Sequence, residues 1–256
     1  MGTFLAYDID AVKFIQTTGN LTSIEKYAIN HFIKNLKKNN LWDEIYLLYP
    51  YVGVTASSHS YNLKNPSQYQ ITWNGGLTHN TNGVTGNGTT GYGATGFFIG
   101  SLTYNNTALH TYIRSSEATT AAYDLGGFAG TPRLIYGVKV NATIGSSQQY
   151  NSTPATGRLD YTNATPVGMW TATRPASNIH KIIKNGVVVA SNTGTSAAPA
   201  NVEIYVRAIN NNGTTAANFN PRNCALDCVS NGLSDAEALT FYNIVQEFQT
   251  TLGRQI

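Results

Sequence analysis

The chain has 256 residues, of which only 16 are Lys or Arg and 13 are Asp or Glu, giving a formal net charge of +3. Charged residues make up 11 % of it, against about 25 % in an ordinary soluble domain. Mean hydropathy is −0.20 and no apolar run approaches the roughly 20 residues needed to span a bilayer, which argues against membrane insertion. Disorder is equally disfavoured, because the aromatic content is 11 % and the net charge is small. Polarity comes instead from 28 Asn, 32 Thr and 24 Gly, the composition of a turn-rich β protein.

In chain order, the first zone, residues 8–40, is helical. Asp10 is expected to cap a short helix through Thr17, with Gly19 as its stop. Thr22-Ser-Ile-Glu25 reads as a capping box, and Ile29, Phe32, Ile33 and Leu36 then share one face at 3.6-residue spacing. The densest basic group, Lys34, Lys37 and Lys38, falls at that helix's end, where it complements the macrodipole; nothing resembles a nucleic-acid footprint. Ile45–Tyr49 is an apolar run closed by Pro50 and reads as a buried strand.

The second zone, 45–230, carries the β signals within what reads as one domain. Strands are expected at Tyr69–Trp73, Ala108–Ile113, Ala121–Leu125, Leu134–Val140, Val167–Ala172, His180–Lys184, Val187–Ala190 and Val202–Ile209. Asn185-Gly186 between two apolar runs predicts a two-residue hairpin turn of type I′. Residues 75–96 contain eight glycines and are expected to form a long surface loop without regular structure. The third zone, 234–252, is a C-terminal helix. Ser234-Asp-Ala-Glu237 caps it, and Ala238, Leu239, Tyr242, Val245, Phe248 and Leu252 form the predicted apolar stripe before Gly253.

Chemistry is sparse. Cys224 and Cys228 lie about 13 Å apart if extended, too far for a disulfide, and are read as buried free thiols. The segment Met1–Ala11 lacks the features of a signal peptide, so a reducing compartment is expected. Residues 65–220 hold four carboxylates, Glu117, Asp124, Asp160 and Glu203, none at the i, i+2 spacing that puts two on one strand face. The five histidines are dispersed. No catalytic residue, metal site or cofactor is therefore assigned. A binding site is the better expectation: Trp73 and Tyr92 to stack on a sugar, Asn74 and His79 to hydrogen-bond it. Against it stands the reading of Trp73 as a core residue that ends a strand.

Two resemblances go further. Ile179–Gly186, Val187–Val189 and Glu203-Ile-Tyr-Val-Arg-Ala208 resemble the late hairpin and following strand of concanavalin A-like (laminin G-type) jelly rolls. That implies an antiparallel jelly-roll sandwich flanked by an N-terminal helical hairpin and a C-terminal helix. The Glu-x-Asp-x-x-Glu strand of that fold's glucanase branch is missing, so hydrolysis is not implied. The flanks, Asp10-Ala-Val-Lys-Phe-Ile through Tyr49-Pro-Tyr-Val-Gly53 and Leu233-Ser234 through Gly253-Arg254, are similar to bacteriophage virion proteins, notably tail or head fibres and capsid decoration proteins. This implies a non-enzymatic structural protein displayed on the virion and assembled in the host cytoplasm. Its implied partners are other virion proteins or further copies of itself, such as a trimer, and a host surface glycan. The alternative is a stand-alone carbohydrate-binding lectin-like module, with a glycoside hydrolase third.

Overall fold

A computed structural model describes residues 7–117, 121–150 and 157–256. Helices α1 (Ile9–Thr18) and α2 (Ser23–Lys38) come first, and α3 (Ala56–Ser60) is a single turn. Helix α4 (Asp235–Thr251) closes the order, and two sheets lie between.

The first sheet runs β13 (Val187–Asn192), β12 (Ile179–Lys184), β11 (Gly168–Ala176), β6 (Thr107–Ile113), β17 (Asn223–Ser230), β4 (Gly83–Thr85) and β3 (Thr78–Asn80), with β1 (Ile45–Tyr49) also on β17. The second runs β10 (Arg158–Thr162), β9 (Ile144–Gln149), β8 (Leu134–Gly137), β7 (Leu125–Phe128), β14 (Glu203–Val206), β5 (Tyr92–Phe98) and β2 (Thr72–Asn74). In it β15 (Ile209–Asn211) pairs with β16 (Thr215–Ala217) and runs parallel to β7, the one parallel pairing among the described residues.

Side-chain alternation sorts the interior into two cores. Leu47, Ile113, Trp170 and Ile182 point between the sheets, where they meet Leu125, Tyr136, Ile204 and Val206. Their chain neighbours Leu48, Tyr112, Met169 and Ile183 point outward and meet Ile29, Phe32, Ile33, Phe241 and Phe248 of the helices. The helices therefore cover the outer face of the first sheet, producing three layers. Its central strands are apolar on both faces for that reason, and β6 is buried along its whole length.

The helices begin where polar side chains complete their first turns. The capping boxes at Thr22–Glu25 and Ser234–Glu237 both form. Glu25 also accepts Gly53 N at 2.7 Å, tying α2 to the chain after β1. The α1 cap differs from expectation. Asp8, in extended conformation, accepts Asp10 N at 2.9 Å, while Asp10 lies inside the first turn and pairs with Lys37 at 2.7 Å. In α4 the stripe is also shifted. Phe241 and Ile244 are buried and Leu239 is 45 % exposed, because its contact is the hairpin tip at Gly186. Tyr242 and Leu252 pack only partly against the core.

Several strand expectations need correction. The glycine-rich stretch 75–96 contains β3, β4 and the start of β5. Three of its glycines, Gly83, Gly93 and Gly96, lie within these strands and the other five in the turns before and between them. Gly83 has φ +108°, and a Cβ there would lie 2.1 Å from Cys224 O; a Cβ at Gly93 would meet Ile71, Trp73 and Val206. Tyr69–Trp73 becomes Thr72–Asn74, since Tyr69 has φ +57°. Ala121–Leu125 shifts to Leu125–Phe128, and β8 stops at Gly137. Val202–Ile209 is interrupted where Arg207 takes φ +64°. Strand β9, rich in Ser and Gln, and strand β10, in which Leu159 and Tyr161 alternate with polar residues, lie outside the expected strands. The hairpin at Asn185-Gly186 has φ of +49° and +77°, as a type I′ turn requires. Cys224 and Cys228 are free and buried, and burial raises both thiol pKa values.

Between the sheets lies an ionic cluster. Arg207 Nη2 donates to Asp227 at 2.9 Å and to Thr111 at 3.1 Å, and Nη1 lies 3.4 Å from Asp124. Arg222 is 3.7 Å from the other Asp124 oxygen, Tyr51 OH donates to Asp227 at 2.8 Å, and Asn220 donates to Asp124 at 2.7 Å. Burial raises the Asp227 pKa against the pull of Arg207, and Arg207 is held protonated by the surrounding anions despite its own burial. Replacing Arg207 by Met leaves two buried carboxylates without their shared cation. Urea unfolding at pH 7 should then show a loss of about 3–5 kcal/mol; a loss below about 1 kcal/mol would contradict the assignment.

His110 and His180 are also fully buried, and burial lowers each pKa from 6.5 to about 3. His110 bonds Thr171 and Ser230, and His180 bonds Ser147. Above pH 6.5 the folded and unfolded chains hold both rings neutral, and their contribution is constant. As the pH falls from 6.5 towards 3 the unfolded chain takes up these protons first, so stability declines by up to about 1.4 kcal/mol per unit per ring. His110→Gln should remove about one proton from that slope. Equal slopes for variant and parent between pH 6.5 and 4.5 in urea titrations would refute this.

Candidate functional site

With helices on one side of the first sheet and the second sheet on its other side, the broad face left uncovered is the outer face of the second sheet. Two adjacent rows across that sheet show what it presents. Trp73, Gly93, Val206, Leu125, Tyr136, Ser147 and Leu159 are register partners on the inward row. Thr72, Ala94, Tyr205, Gly126, Ile135, Gln148 and Arg158 form the next row, which faces outward.

This divides the four residues singled out in the sequence. Trp73 and His79 face inward at the end of the sandwich. Their rings are 4.9 Å apart edge to face, Tyr51 is 6.1 Å from Trp73, and the indole Nε1 donates to Ala56 O at 2.8 Å. His59, which the sequence reading left isolated, joins them with its Nδ1 3.1 Å from that of His79 and its Nε2 3.2 Å from Gly53 O. Burial lowers the His59 pKa to about 3 and lowers that of His79 too, so this contact joins two neutral rings. Asn74 and Tyr92 are register partners on the outer side, although the Asn74 amide is bonded to its own strand at Thr72 O.

Tyr92 has partners the sequence did not reveal. Its ring lies 4.8 Å from Tyr205 and 6.3 Å from Phe219, and all three are half-buried, forming an aromatic platform on the open face. Beyond Phe219, the segment at Asn218 borders a pocket of about 310 Å³. Ile135, Val140 and Ile209 supply its apolar surface, Tyr123 and Phe128 its aromatic walls, and Asn141, Asn218, Arg133 and Arg158 its polar groups. The Arg133 guanidinium lies over the Phe128 ring at 4.0 Å, and its Nε donates to Gly130 O at 3.3 Å.

The ionic cluster holds the pocket's walls from behind. Asp124 adjoins Tyr123 and accepts Val138 N at 2.8 Å, and Arg222 donates to Lys139 O, which fixes the segment ending at Val140 and Asn141. Asn220 Nδ2 reaches Tyr123 O at 3.3 Å, and Tyr123 N donates to Asn218 O at 3.0 Å. The pocket is thus built on irregular segments that interior charges hold in place. The i, i+2 pair Arg158 and Asp160, joined at 2.6 Å on the outward side of β10, was a legible signal. The rest of the pocket depends on residues far apart in sequence. Among the described residues no three His, Cys, Asp or Glu side chains are arranged to hold a metal ion, and no helix is long and apolar enough to cross a membrane.

No protein-family model and no curated protein sequence matches the chain. Solved structures do. Domain 4 of AbnA, an extracellular GH43 arabinanase from Geobacillus stearothermophilus solved in complex with arabinotriose, aligns with a TM-score of 0.54 at 14 % identity, covering 78 % of this chain and 98 % of that one. A botulinum neurotoxin type C structure, reported with cell entry dependent on two ganglioside molecules, gives 0.54 at 12 % identity over 82 % of this chain and 53 % of that one. The binding domain of botulinum neurotoxin DC, in complex with rat synaptotagmin II, gives 0.52 at 11 % identity, covering 80 % of this chain and about half of that one, 52 %. At these identities the likeness concerns fold. The chain is a mainly β protein whose two sheets form a sandwich of the kind found in that arabinanase domain and in the neurotoxin binding domain.

Proposed function

We propose that this chain is a carbohydrate-binding module that takes its ligand on the open face of the second sheet, in the pocket beside the Tyr92–Tyr205–Phe219 platform. The observation that carries this reading is the pocket's composition. Sugar rings present apolar C–H faces and a rim of hydroxyls, and apolar and aromatic surfaces edged by amides and guanidinium groups match both. An arabinanase domain solved with arabinotriose and a neurotoxin structure reported with gangliosides share the sandwich, which supports the reading. Within the sandwich class, we assign the concanavalin A-like connectivity on the strength of the β12–β13 hairpin and its following strand.

The module is read as non-catalytic. Glycoside hydrolysis normally uses two carboxylates facing one another across a cleft. Among the described residues none lines this pocket, and the facing pair Asp124 and Asp227 is buried around Arg207. The virion role suggested by the flanking segments rests on those segments alone, because none of the neighbours named above is a virion protein. Glycan binding is therefore the primary reading.

A glycan array followed by calorimetry tests it. The protein should bind a defined subset of oligosaccharides. Ala121→Trp, an exposed substitution at the pocket's edge that fills it, should abolish binding while leaving the melting temperature within a few degrees. Phe128→Ala should weaken binding about tenfold. Binding that survives Ala121→Trp, or no binding to any glycan, would reject the reading.

A further inference from the structure

The pocket's polar groups are not balanced in charge. Its lining includes two guanidinium groups, Arg133 and Arg158, and, among the described residues, no carboxylate. In a chain with only 16 basic residues, two on one pocket of about 310 Å³ is a local concentration of charge. They enter from different elements. Arg158 opens β10 on the outward row, and Arg133 immediately precedes β8. Arg133 stands two residues before Ile135 in the chain, and Arg158 lies two strands from Ile135 across Gln148 on that row, so both guanidinium groups border the apolar floor at Ile135.

Each is held in a defined orientation. Arg133 is spread over the Phe128 ring at 4.0 Å, with Nε turned to Gly130 O; among the described residues no carboxylate pairs with it. Arg158 Nε is held by Asp160 at 2.6 Å, which partly offsets its charge and leaves the Nη edge of the fork to face elsewhere. Asp160 is outside the pocket lining. Beside the two arginines, Asn141 and Asn218 supply amides. A carboxylate is the group that a guanidinium fork fits in bidentate geometry, and a sugar hydroxyl is what an amide fits.

We infer that the pocket selects glycans bearing a carboxylate, with Arg133 and Arg158 receiving the acid group and Asn141 and Asn218 the adjoining hydroxyls. This rests on the carbohydrate-binding reading above and makes it specific. Neutral sugars would leave Arg133 without a counter-charge on the pocket surface, so they bind less well. Uronic acids and sialic acids both carry the required group on a pyranose ring, and paired probes separate them.

Calorimetry at 50 and 500 mM NaCl with trigalacturonate, galactotriose, sialyllactose and lactose tests the inference. One acidic probe should bind at least tenfold more tightly than its neutral counterpart, and which one does so identifies the class of acid. The preference should shrink at high salt and should disappear in Arg133→Gln, with Arg158→Gln giving a smaller loss because Asp160 already partly neutralises that group. Arg133→Lys, which keeps the charge but loses the fork, should recover only part of the preference. Equal binding of acidic and neutral probes would overturn this inference and leave the glycan reading standing. An acidic preference unchanged in both glutamine variants would also overturn it. Failure of all four probes, together with an empty array, would remove both.

Discussion

The most demanding physical arrangement in the molecule is the charge cluster centred on Arg207. Arg207 and Arg222 face Asp124 and Asp227 between two sheets, with almost no exposure to solvent. Moving such groups out of water costs several kcal/mol each, and a well-packed apolar interior would often be no less stable. What the cluster adds is position. Asp227 belongs to β17 of the first sheet, while Asp124 and Arg207 flank β7 and β14 of the second. The guanidinium therefore fixes one sheet relative to the other. The same side chains bond to the backbone of the segments that border the open pocket, so that backbone is held without forming a regular ladder. Two equal and opposite pairs leave this cluster near neutrality, while the buried Arg174 and Arg254 donate to backbone carbonyls instead.

The helical layer supplies a second constraint. Helices α2 and α4 meet through Phe32 and Phe248, whose rings stack 4.4 Å apart, and together they cover the first sheet. Arg254, just past α4, donates to Pro50 O at 2.6 Å, Tyr51 O at 2.8 Å and Ala225 O at 3.1 Å. These bonds satisfy carbonyls at the end of the sandwich and anchor the segment after α4 to both β17 and the chain leaving β1. Among the described residues no helix covers the second sheet; irregular segments around Tyr123, Val140 and Asn218 border its outward side, where Ile135 and Ser146 are buried.

Legibility followed the range of the interactions. Capping boxes, the Asn185-Gly186 turn and the apolar run of β1 depend on residues within a few positions of one another, and all are present in the fold. The glycine-rich stretch misled because a glycine that frees a loop and one that admits a neighbouring carbonyl look the same in sequence; only the approach of Cys224 O to Gly83 tells them apart. Strand β9 lacks apolar alternation because its inward residues are Gly145, Ser147 and Gln149, whereas β10 does alternate, with Leu159 and Tyr161 inward between Arg158, Asp160 and Thr162. At the candidate site, Tyr92 was visible through its place beside the glycines. Tyr205 and Phe219 lie more than a hundred residues away; the pairing of β5 with β14 brings Tyr205 to it, and the chain after β16 brings Phe219. Arg207 itself was a missed signal: a lone cation after Ile-Tyr-Val in a charge-poor chain has to be paired wherever it is buried.

Stacked layers in such a sandwich are spaced about 10 Å apart, so the helices and the open pocket lie on opposite flanks with two sheets between them. Anything that grips the helices leaves the pocket unobstructed. Copies fixed side by side through that layer would point every pocket the same way. Weak individual contacts could then add into firm adhesion to a repeating surface, with no alteration of any single site.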